Sequence, residues 1–363
     1  MTGSPPSKIH HWCPCSQLGG VEMSLLAFIQ GAPEIGHIIF TADDRGAAVS
    51  RWREAGAEVI VVDGWDGFLG LSWVKHWRAL LNEHTLRKVI IWSPSRLGLV
   101  LSALPSSAKV LVHFGNIRPN GGKAGLRDLF DMVCFRPIVR PALIMCSAPV
   151  AHSLEGGDLL SGCAKAVVNN AVQTAYFSAT LRAGGAPAST WGMVARLDTI
   201  KDHATLLRAV RLVAGRHPEF RLTLVGDGQL RPALEELVRE LGVGDKVTLT
   251  GTIARPWELM AGWGGAVFST GPQEGFGIAA AEAMAMGLPC VFTDLPVMRE
   301  VGGDTVLYAR PGSPESLAEQ IGALIADAAL AARLGQVAAF RARECFSPQA
   351  FAAAYLRAFE LSA

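Results

Sequence analysis

Four charged residues in the second half of the sequence stand beside predicted strand ends: Arg196, Lys201, Glu274 and Glu282. Glu274 opens a Glu-Gly-Phe-Gly loop, and the alanine-rich run that follows it contains Glu282. Because alanine is the best helix former, this run predicts a helix that begins near Ile278. The N-terminus of a helix attracts anions, and carboxylates accept hydrogen bonds from hydroxyl groups. The stretch therefore predicts a site for a ligand that carries both phosphates and hydroxyls.

Arg196 and Lys201 follow a predicted strand, at the end where ligands of parallel sheets bind. A guanidinium group binds two phosphate oxygens at once, and an ammonium group acts as a point charge. Cations for phosphate and carboxylates for hydroxyls together predict a nucleotide-sugar site. Two alternatives stay open on the residues alone: the cations are solvated surface groups, or the acidic loop is an ordinary helix start.

Strand-like and helix-like segments alternate through both halves of the chain, which indicates parallel sheets covered on both faces. The predicted fold class is α/β, with two Rossmann-like, doubly wound domains facing a central cleft. A small, turn-rich segment at 181–189 predicts the linker. The predicted divisions are an acceptor-side domain at 1–180, a nucleotide-sugar domain at 181–345, and a last helix within 346–363 that packs back toward the first domain. Further helices are predicted at 72–83, 126–134 and 314–339.

Composition limits the class of protein. The 363 residues suffice for two domains, and half of them are hydrophobic, so a large core can form. A net charge of +1 argues against nucleic acid as a partner, and seven cysteines in no framework pattern fit a reducing cytosol. The N-terminus lacks an apolar signal core, and no apolar run reaches the ~18–20 residues that span a bilayer. A cytoplasmic location is expected.

The segment Trp65–Arg78 mixes aromatic, apolar and basic residues. One interpretation is peripheral contact with the inner face of a membrane, where the segment would admit a lipid-linked acceptor. The other is a buried crossover helix with a basic edge. The residues leave both open.

Two other groups of residues have types that can carry chemistry. His10, His11, Cys13 and Cys15 lack the spacing of a zinc site, so no metal is predicted. The segment Gly226-Asp-Gly228 resembles the start of a dinucleotide fingerprint, but Arg231 occupies the position of the third glycine, which predicts a tight turn and no nicotinamide cofactor.

In the first half, Gly19-Gly20 precedes a predicted helix and offers backbone N–H groups for a phosphate. His113 ends a predicted strand, where a histidine can donate or accept hydrogen bonds. A structural histidine is the alternative interpretation of His113.

Taken together, these motifs resemble the retaining glycosyltransferases of family 4, the group 1 glycosyl transferases with the GT-B fold. The resemblance is nearly continuous from Trp191 to Phe346. It rests on five motifs, at 195–203, 224–228, 249–253, 274–277 and 282–289. The first half matches more loosely, through Gly19-Gly-Val-Glu22, His113 and the segment 167–171.

The resemblance implies a hexosyltransferase of polysaccharide biosynthesis that transfers a sugar from a UDP- or GDP-sugar with retention at the anomeric carbon. The acceptor would be a glycan, a lipid-linked molecule or a small molecule, and neither metal nor cofactor would be needed. By this resemblance Arg196 and Lys201 hold the diphosphate, Glu274 faces the sugar, Glu282 accepts the ribose hydroxyls, and His113 lies near the sugar. The implied catalytic residues are Glu274, His113, Arg196 and Lys201.

The resemblance also implies a donor site formed largely by backbone. Thr252 and Ile253 would line the base pocket, and Gly20 would close over the phosphates. The full donor-binding set that it implies is Gly20, Arg196, Lys201, Thr252, Ile253, Glu274, Gly275, Phe276, Gly277, Ile278 and Glu282.

One departure from the family pattern bears on this site. Thr270-Gly271 replaces the usual Pro-Ser before Glu274, which predicts a looser loop. Two alternative functions remain at this point. One is a glycoside hydrolase that uses Glu274 and Glu282 as an acid–base pair, and the other is a non-catalytic subunit that binds a nucleotide sugar.

Overall fold

The computed structural model describes residues 8–17, 19–62, 86–94, 97–102, 104–115, 139–153, 162–179 and 188–362. Four predicted features lie outside these ranges: the helices at 72–83 and 126–134, the aromatic and basic segment at 65–78, and most of the linker, 181–187. The chain forms two compact units. Residues 1–171 and 348–363 make up the first unit, and residues 172–347 make up the second.

The first unit is built on a parallel sheet. Seven strands of this sheet lie within the described residues, in the order β3-β2-β1-β4-β5-β6-β7. The five inner strands of this sheet are buried over most of their length, as expected for parallel strands covered on both faces. They are Lys8–Trp12 (β1), Gly36–Thr41 (β2), Glu58–Val61 (β3), Lys88–Ile91 (β4), Lys109–Phe114 (β5), Ala142–Met145 (β6) and Lys165–Val167 (β7).

Helices connect these strands, as parallel pairing requires. Those in the described part of the first unit are Gly20–Gly31 (the first helix), Ala47–Glu54, Leu97–Ser102, Ala148–Ser153 and Pro348–Ala358 (the final helix). The first and final helices pack against each other. A Cβ atom at Gly31 would lie 1.9 Å from the carbonyl oxygen of Pro348, so only glycine permits this close approach.

The second unit repeats the design. Its six described strands are all parallel, in the order β10-β9-β8-β11-β12-β13. They are Thr190–Val194 (β8), Arg221–Val225 (β9), Val247–Gly251 (β10), Gly265–Phe268 (β11), Cys290–Thr293 (β12) and Leu307–Ala309 (β13). The described helices are Thr174–Ser178, His203–Arg216, Arg231–Leu241, Pro256–Met260, Ile278–Ala285 (the acidic helix), Pro296–Gly302, Pro314–Ala326 and Ala328–Phe346. The predicted α/β class with two doubly wound parallel sheets is confirmed.

One helix was predicted wrongly. The single helix expected at 314–339 is two helices, Pro314–Ala326 and Ala328–Phe346. Asp327 separates them, because its backbone is extended and its carboxylate accepts a hydrogen bond from the N–H of Leu330 at 2.9 Å. Aspartate at an N-cap position favours such a start, and the alanines on both sides concealed it in the sequence.

No single described helix is long and apolar enough to cross a lipid bilayer. Two consecutive segments, 314–326 and 328–358, reach the necessary length and composition only together, and they meet at a bend of 102°.

Candidate active site

The strand order of the second sheet indicates where a ligand binds. From β8 the chain proceeds to β9 and β10 on one side, and β11, β12 and β13 lie on the other side. In an open parallel sheet the crevice beyond the carboxyl ends of the strands, at the point where the order reverses, is the usual ligand site. Arg196 and Lys201 follow β8 and Glu274 follows β11, so these three residues flank the reversal point.

The loop after β8 is held by the turn after β9. The N–H of Leu197 donates a hydrogen bond to the carbonyl oxygen of Asp227 at 3.0 Å. Gly226 has a φ of +139°, and a Cβ atom there would lie 1.9 Å from the carbonyl oxygen of Ala195. The Gly226-Asp-Gly228 motif is therefore a tight packing turn that fixes the backbone on either side of Arg196.

Arg196 itself is largely exposed. Its side chain is 77% exposed, and its Nη2 atom lies 3.0 Å from Oδ2 of Asp198. An ion pair of this kind contributes little to stability, because water solvates the exposed guanidinium group. The guanidinium group is thus available to exchange Asp198 for a ligand anion.

Lys201 and Glu274 form a buried ion pair. The Nζ of Lys201 donates to Oε2 of Glu274, and only 20% and 10% of the two side chains are exposed. The backbone of Lys201 also forms a bridge with Thr270. The hydroxyl of Thr270 lies 3.1 Å from both Glu274 Oε2 and the carbonyl oxygen of Ile200, and it donates its one proton to either. Glu274 is therefore fixed in position from several sides.

These contacts also set the charge of Glu274. Burial by itself would raise the pKa of this carboxyl group. The charge and hydrogen bond of Lys201, the N–H of Phe276 at 3.4 Å and the hydroxyl of Thr270 outweigh burial, so the pKa lies below its usual value. At neutral pH Glu274 is an ionised hydrogen-bond acceptor.

The loop before Glu274 is tied down, contrary to the expectation from Thr270-Gly271. The N–H of Gly271 donates to the carbonyl oxygen of Ile200 at 2.7 Å. The N–H of Thr270 donates to the hydroxyl of Thr293 at 3.1 Å. The Thr270 side chain supplies hydrogen bonds that hold the loop without the rigidity of proline, so the prediction of a looser loop was wrong.

The backbone from Gly275 to Ile278 leads into the acidic helix. Gly277 is its N-cap residue, with a φ of +88° and no side-chain capping bond. A Cβ atom at Gly277 would lie 3.2 Å from Sδ of Met298, so both conformation and space favour glycine. The Phe276 side chain is buried against Phe346, and only its backbone can face a ligand. Gly275 is buried and Ile278 is half-buried.

Glu282 occupies the buried face of the acidic helix and has a different environment from Glu274. Burial raises its pKa to about 8, and a hydrogen bond with Tyr176 opposes this shift. The carboxyl group therefore carries a proton at neutral pH. The ring of Tyr176 lies edge-on to Trp257, with 5.4 Å between the ring centres.

Sequence reasoning missed Tyr176. It lies on the helix Thr174–Ser178, which spans five residues and is too short to show a helical period. No pattern in the sequence connects it with Glu282, so the strand and helix arrangement alone brings the two together.

Thr252 and Ile253 follow β10, whose place in the sheet is separated from β11 by β9 and β8. Thr252 is exposed and Ile253 is half-buried. Gly251, which precedes them, has a φ of +77° and turns the chain at the end of the strand. These two residues therefore stand at the same edge of the sheet as Glu274 but further along it.

Gly20 and His113 lie in the first unit, whereas the other predicted site residues lie in the second. The order of the first sheet reverses at β1, and Gly20 begins the first helix just beyond that strand. His113 is buried near the end of β5, and its Nδ1 atom lies 2.6 Å from the hydroxyl of Tyr355. Burial lowers the pKa of His113 to about 4, so the ring is neutral at pH 7.

His11 of β1 takes part in hydrogen bonding through both ring nitrogens. The N–H of the Trp92 indole donates to Nδ1 of His11 at 3.1 Å, and His11 Nε2 lies 3.1 Å from Nδ1 of His37. Since both nitrogens of His11 are occupied in this way, this ring is not available to a metal ion. Within the described ranges, no three His, Cys, Asp or Glu side chains are grouped so that they could hold one.

Comparison with known proteins identifies the second unit. The family model for glycosyl transferases group 1 matches residues 188–327. This stretch of the chain is therefore similar to a group 1 glycosyl transferase domain. This domain contains Arg196, Lys201, Glu274 and Glu282.

Curated relatives match different shares of the chain. The chain is 33% identical over 181 residues to the D-inositol 3-phosphate glycosyltransferase of Corynebacterium jeikeium, which covers 47% of this chain and 42% of the relative. It is 28% identical over 276 residues to an exopolysaccharide phosphotransferase of Streptomyces coelicolor, covering 75% of this chain and 28% of the relative. The chain thus spans less than half the length of these relatives.

Solved structures match nearly the whole chain. A glycosyltransferase from Rickettsia africae has a TM-score of 0.79 at 18% identity and covers 99% of both chains. Anabaena HepE, in a complex with UDP and glucose, has a TM-score of 0.76 at 18% identity and covers 98% of this chain and 99% of its own. The fold is therefore the GT-B fold of the glycosyltransferases.

Proposed function

We propose that this protein is a retaining glycosyltransferase of family 4 that transfers a hexose from a nucleoside diphosphate sugar to a hydroxyl of an acceptor, without a metal ion. The observation that carries this proposal is the buried Lys201–Glu274 ion pair, which flanks the reversal point of the second sheet together with Arg196. This arrangement offers cations to a diphosphate and an ionised carboxylate to sugar hydroxyls.

Arg196 and Lys201 stabilise the leaving diphosphate. Arg196 is exposed and weakly paired, so it exchanges Asp198 for phosphate oxygens at little cost. As the bond from the anomeric carbon to the phosphate oxygen breaks, negative charge grows on the diphosphate. Cations fixed beside it then stabilise the transition state more than the ground state.

Glu274 binds the donor sugar. Because its pKa is lowered, it is ionised and accepts hydrogen bonds from sugar hydroxyls. Its Oε2 is already bound by Lys201, and the backbone N–H of Phe276 holds Oε1. A carboxylate neutralised in this manner is a poor nucleophile and a poor acid, which disfavours a glycoside hydrolase that uses Glu274 and Glu282 as a pair.

Retention follows from attack on the same face that the diphosphate leaves. The acceptor hydroxyl forms the new bond to the anomeric carbon, and its proton passes to the departing phosphate oxygen. This route requires neither a protein nucleophile nor a metal ion. His113 lies near the sugar in this proposal, and Gly20 supplies backbone N–H groups to the phosphates.

The nucleotide is held by the remaining residues. Glu282 takes the ribose hydroxyls in exchange for Tyr176, and Thr252 and Ile253 line the base pocket. UDP is the favoured nucleotide, since UDP occupies the related structures of Anabaena HepE and of pneumococcal GtfA. The acceptor is a glycan or a lipid-linked molecule, and the reaction takes place in the cytoplasm.

A direct test starts with donor choice. In a thermal-shift screen against UDP-, GDP- and ADP-sugars, a ligand at 100 times its dissociation constant stabilises the protein by about 2.7 kcal/mol. The stabilising donor, labelled in its sugar, is then offered to pooled glycan and lipid-linked acceptors with and without EDTA. We expect transfer that EDTA does not reduce and a product with the anomeric configuration of the donor.

The controls separate the alternatives. Glu274→Gln should abolish transfer, and Glu319→Gln, which alters an exposed carboxylate on another helix, should not. Inversion at the anomeric carbon would disprove the retaining mechanism. Tight binding of a donor with no transfer to any acceptor would favour a non-catalytic binding subunit.

A further inference from the structure

We propose that Tyr355, on the final helix, is a positioning residue that holds His113 in the tautomer with its proton on Nε2, ready to donate to a sugar oxygen. This inference rests on the proposed function, because it gives His113 a part in sugar transfer. It concerns a residue outside the motifs of the group 1 domain and 242 positions away from His113.

The direction of the hydrogen bond follows from the two groups. The hydroxyl of Tyr355 lies 2.6 Å from Nδ1 of His113. A neutral imidazole has one donor and one acceptor nitrogen, and a phenol can do either. If the phenol accepted, its own proton would need a second acceptor, but in the described part of the chain the hydroxyl has His113 as its only hydrogen-bond partner. The phenol therefore donates to Nδ1, and the single proton of the ring is on Nε2.

The position of Tyr355 is fixed by aromatic packing. Its ring is completely buried and stacks on Trp92, with 5.3 Å between ring centres. Phe28 on the first helix lies edge-on to it at 5.7 Å, and Phe351 lies one turn away on the final helix at 4.8 Å. Contacts from a strand end and two helices leave the hydroxyl little freedom, so it reaches His113 in one geometry.

Nε2, the other nitrogen of His113, lies beside Gly115. A Cβ atom at Gly115 would lie 3.2 Å from Nε2 and 4.0 Å from the Val21 side chain at the start of the first helix. The lack of a side chain at position 115 therefore leaves room beside Nε2 within a ring that is 1% exposed. Since burial keeps the ring neutral, the Nε2–H group is a neutral donor, which suits the hydroxyl oxygen of an uncharged sugar.

The test uses the full chain labelled with ¹⁵N in its histidines. In the wild type we expect the ¹⁵N shifts of His113 to report a protonated Nε2, with His113→Gln identifying its signals. In Tyr355→Phe we expect both tautomers to be populated. The kcat for sugar transfer should fall roughly tenfold, as for the loss of one hydrogen bond in the transition state, while the KM for the donor changes less than twofold.

Two further variants serve as controls. Tyr308→Phe also removes a hydroxyl, one that donates to the carbonyl oxygen of Gly303 at 2.7 Å, and it should change neither the tautomer nor kcat. Gly115→Ala crowds Nε2 but leaves the Tyr355 contact intact, so it should lower kcat without changing the tautomer.

The outcomes are separable. A proton on Nδ1 in the wild type, or an unchanged tautomer in Tyr355→Phe, would overturn the inference. A changed tautomer with unchanged kcat would overturn it as well, because the role in transfer would be absent. If the wild type transfers no sugar, the proposed function fails, and the ¹⁵N shifts still decide whether Tyr355 sets the tautomer.

Discussion

The carboxyl edges of the two sheets are built on the same topology but carry different chemistry. In both sheets the strand order reverses in the middle, at β1 in the first and at β8 in the second. In the second sheet this edge holds charges, with Arg196 exposed and Lys201 paired to Glu274. In the first sheet it holds neutral rings, among them His11, whose pKa burial and the neighbouring histidines lower well below its usual value.

A chain of hydrogen bonds links the rings of Trp92, His11 and His37 in the first unit. The indole N–H of Trp92 can only donate, so Nδ1 of His11 accepts and its Nε2 carries the proton. Nε2 of His11 then donates to Nδ1 of His37, whose own Nε2 donates to the carbonyl oxygen of Ala32 at 2.9 Å. The indole of Trp92, which can only donate, therefore determines the tautomers of both His11 and His37.

The two sheets therefore place charged groups at one carboxyl edge and neutral groups at the other. In the proposed function the second edge supplies the fixed positive charge that a diphosphate requires, and Lys201 and Glu274 offset the desolvation of each other's charge. The first edge holds buried imidazoles, which are neutral donors without counter-ions. Each variant below removes one part of this contrast.

The largest effect is expected from Lys201. Lys201→Met leaves the Glu274 carboxylate buried without its cation, and breaking a buried pair in this way costs about 4 kcal/mol in the free energy of unfolding. Arg196→Met removes an exposed cation and should cost less than about 0.5 kcal/mol. Both variants should lose sugar transfer by more than about 100-fold, since in the proposed function each removes a charge that binds the leaving diphosphate. Urea unfolding and initial rates measure the two quantities.

The control is the double variant Lys201→Met with Glu274→Gln. It removes both charges, so it should recover most of the stability that Lys201→Met loses while transfer stays absent. Equal stability of Lys201→Met and Arg196→Met would show that the ion pair does not hold the loop.

Glu282 should make the free energy of unfolding fall as the pH rises. Its pKa is near 4.5 in the unfolded chain and about 8 in the folded protein, so the folded state binds more protons between these values. Stability from this group is fully present below pH 4.5 and is lost as the pH rises through 8. At 1.36 kcal/mol per pKa unit, the wild type should lose roughly 3 kcal/mol more than Glu282→Gln between pH 5 and pH 8.

The midpoints of urea unfolding at pH 5, 6, 7 and 8 test whether stability falls as the pH rises. The comparison with Glu282→Gln cancels the histidines, whose lowered pKa values act in the opposite sense and reduce stability as the pH falls. Tyr176→Phe should raise the pKa of Glu282 further, because the hydroxyl that opposes the shift is gone. If the urea midpoints of wild type and Glu282→Gln changed with pH in parallel, the raised pKa of Glu282 would be contradicted.

The sequence was sufficient for the fold class and for the charged motifs. Apolar strands alternating with helices predict parallel sheets, and the ends of parallel strands predict where Arg196, Lys201 and Glu274 lie. The contact between Lys201 and Glu274 spans 73 positions and depends on β8 and β11 being neighbours. Periodicity alone cannot supply strand order, so the resemblance to a known family was needed to associate them.

The remaining partners could not be predicted because they come from long-range packing. Tyr176 lies on a five-residue helix with no period, and Tyr355 reaches His113 only because the final helix packs on the first helix. The histidines of β1 and the two cysteines just after it have donor atoms that zinc sites use, but not their spacing. Trp92 and His37, which occupy His11 instead, come from strands that are distant in sequence and adjacent in the sheet.

The smallest effect concerns the neutral network of the first edge. Trp92→Phe and Trp52→Phe each shrink a completely buried ring and remove one indole N–H donor. Trp52 donates to the backbone carbonyl of Glu22, which lies within a helix, whereas Trp92 donates to Nδ1 of His11. Losing the Trp92 donor leaves a buried acceptor without a partner, so Trp92→Phe should cost about 1 kcal/mol more than Trp52→Phe at pH 7.

The difference in stability between Trp92→Phe and Trp52→Phe should also become smaller as the pH falls. Without the indole N–H, a proton can bind to Nδ1 of His11 more easily, so the pKa of His11 in the folded state rises toward its unfolded value. The folded variant then loses less stability than the wild type as the pH falls below 6.5, and the gap between the two tryptophan variants narrows toward pH 5. Equal costs for the two variants at every pH would mean that the tautomer of His11 is set by packing and not by Trp92.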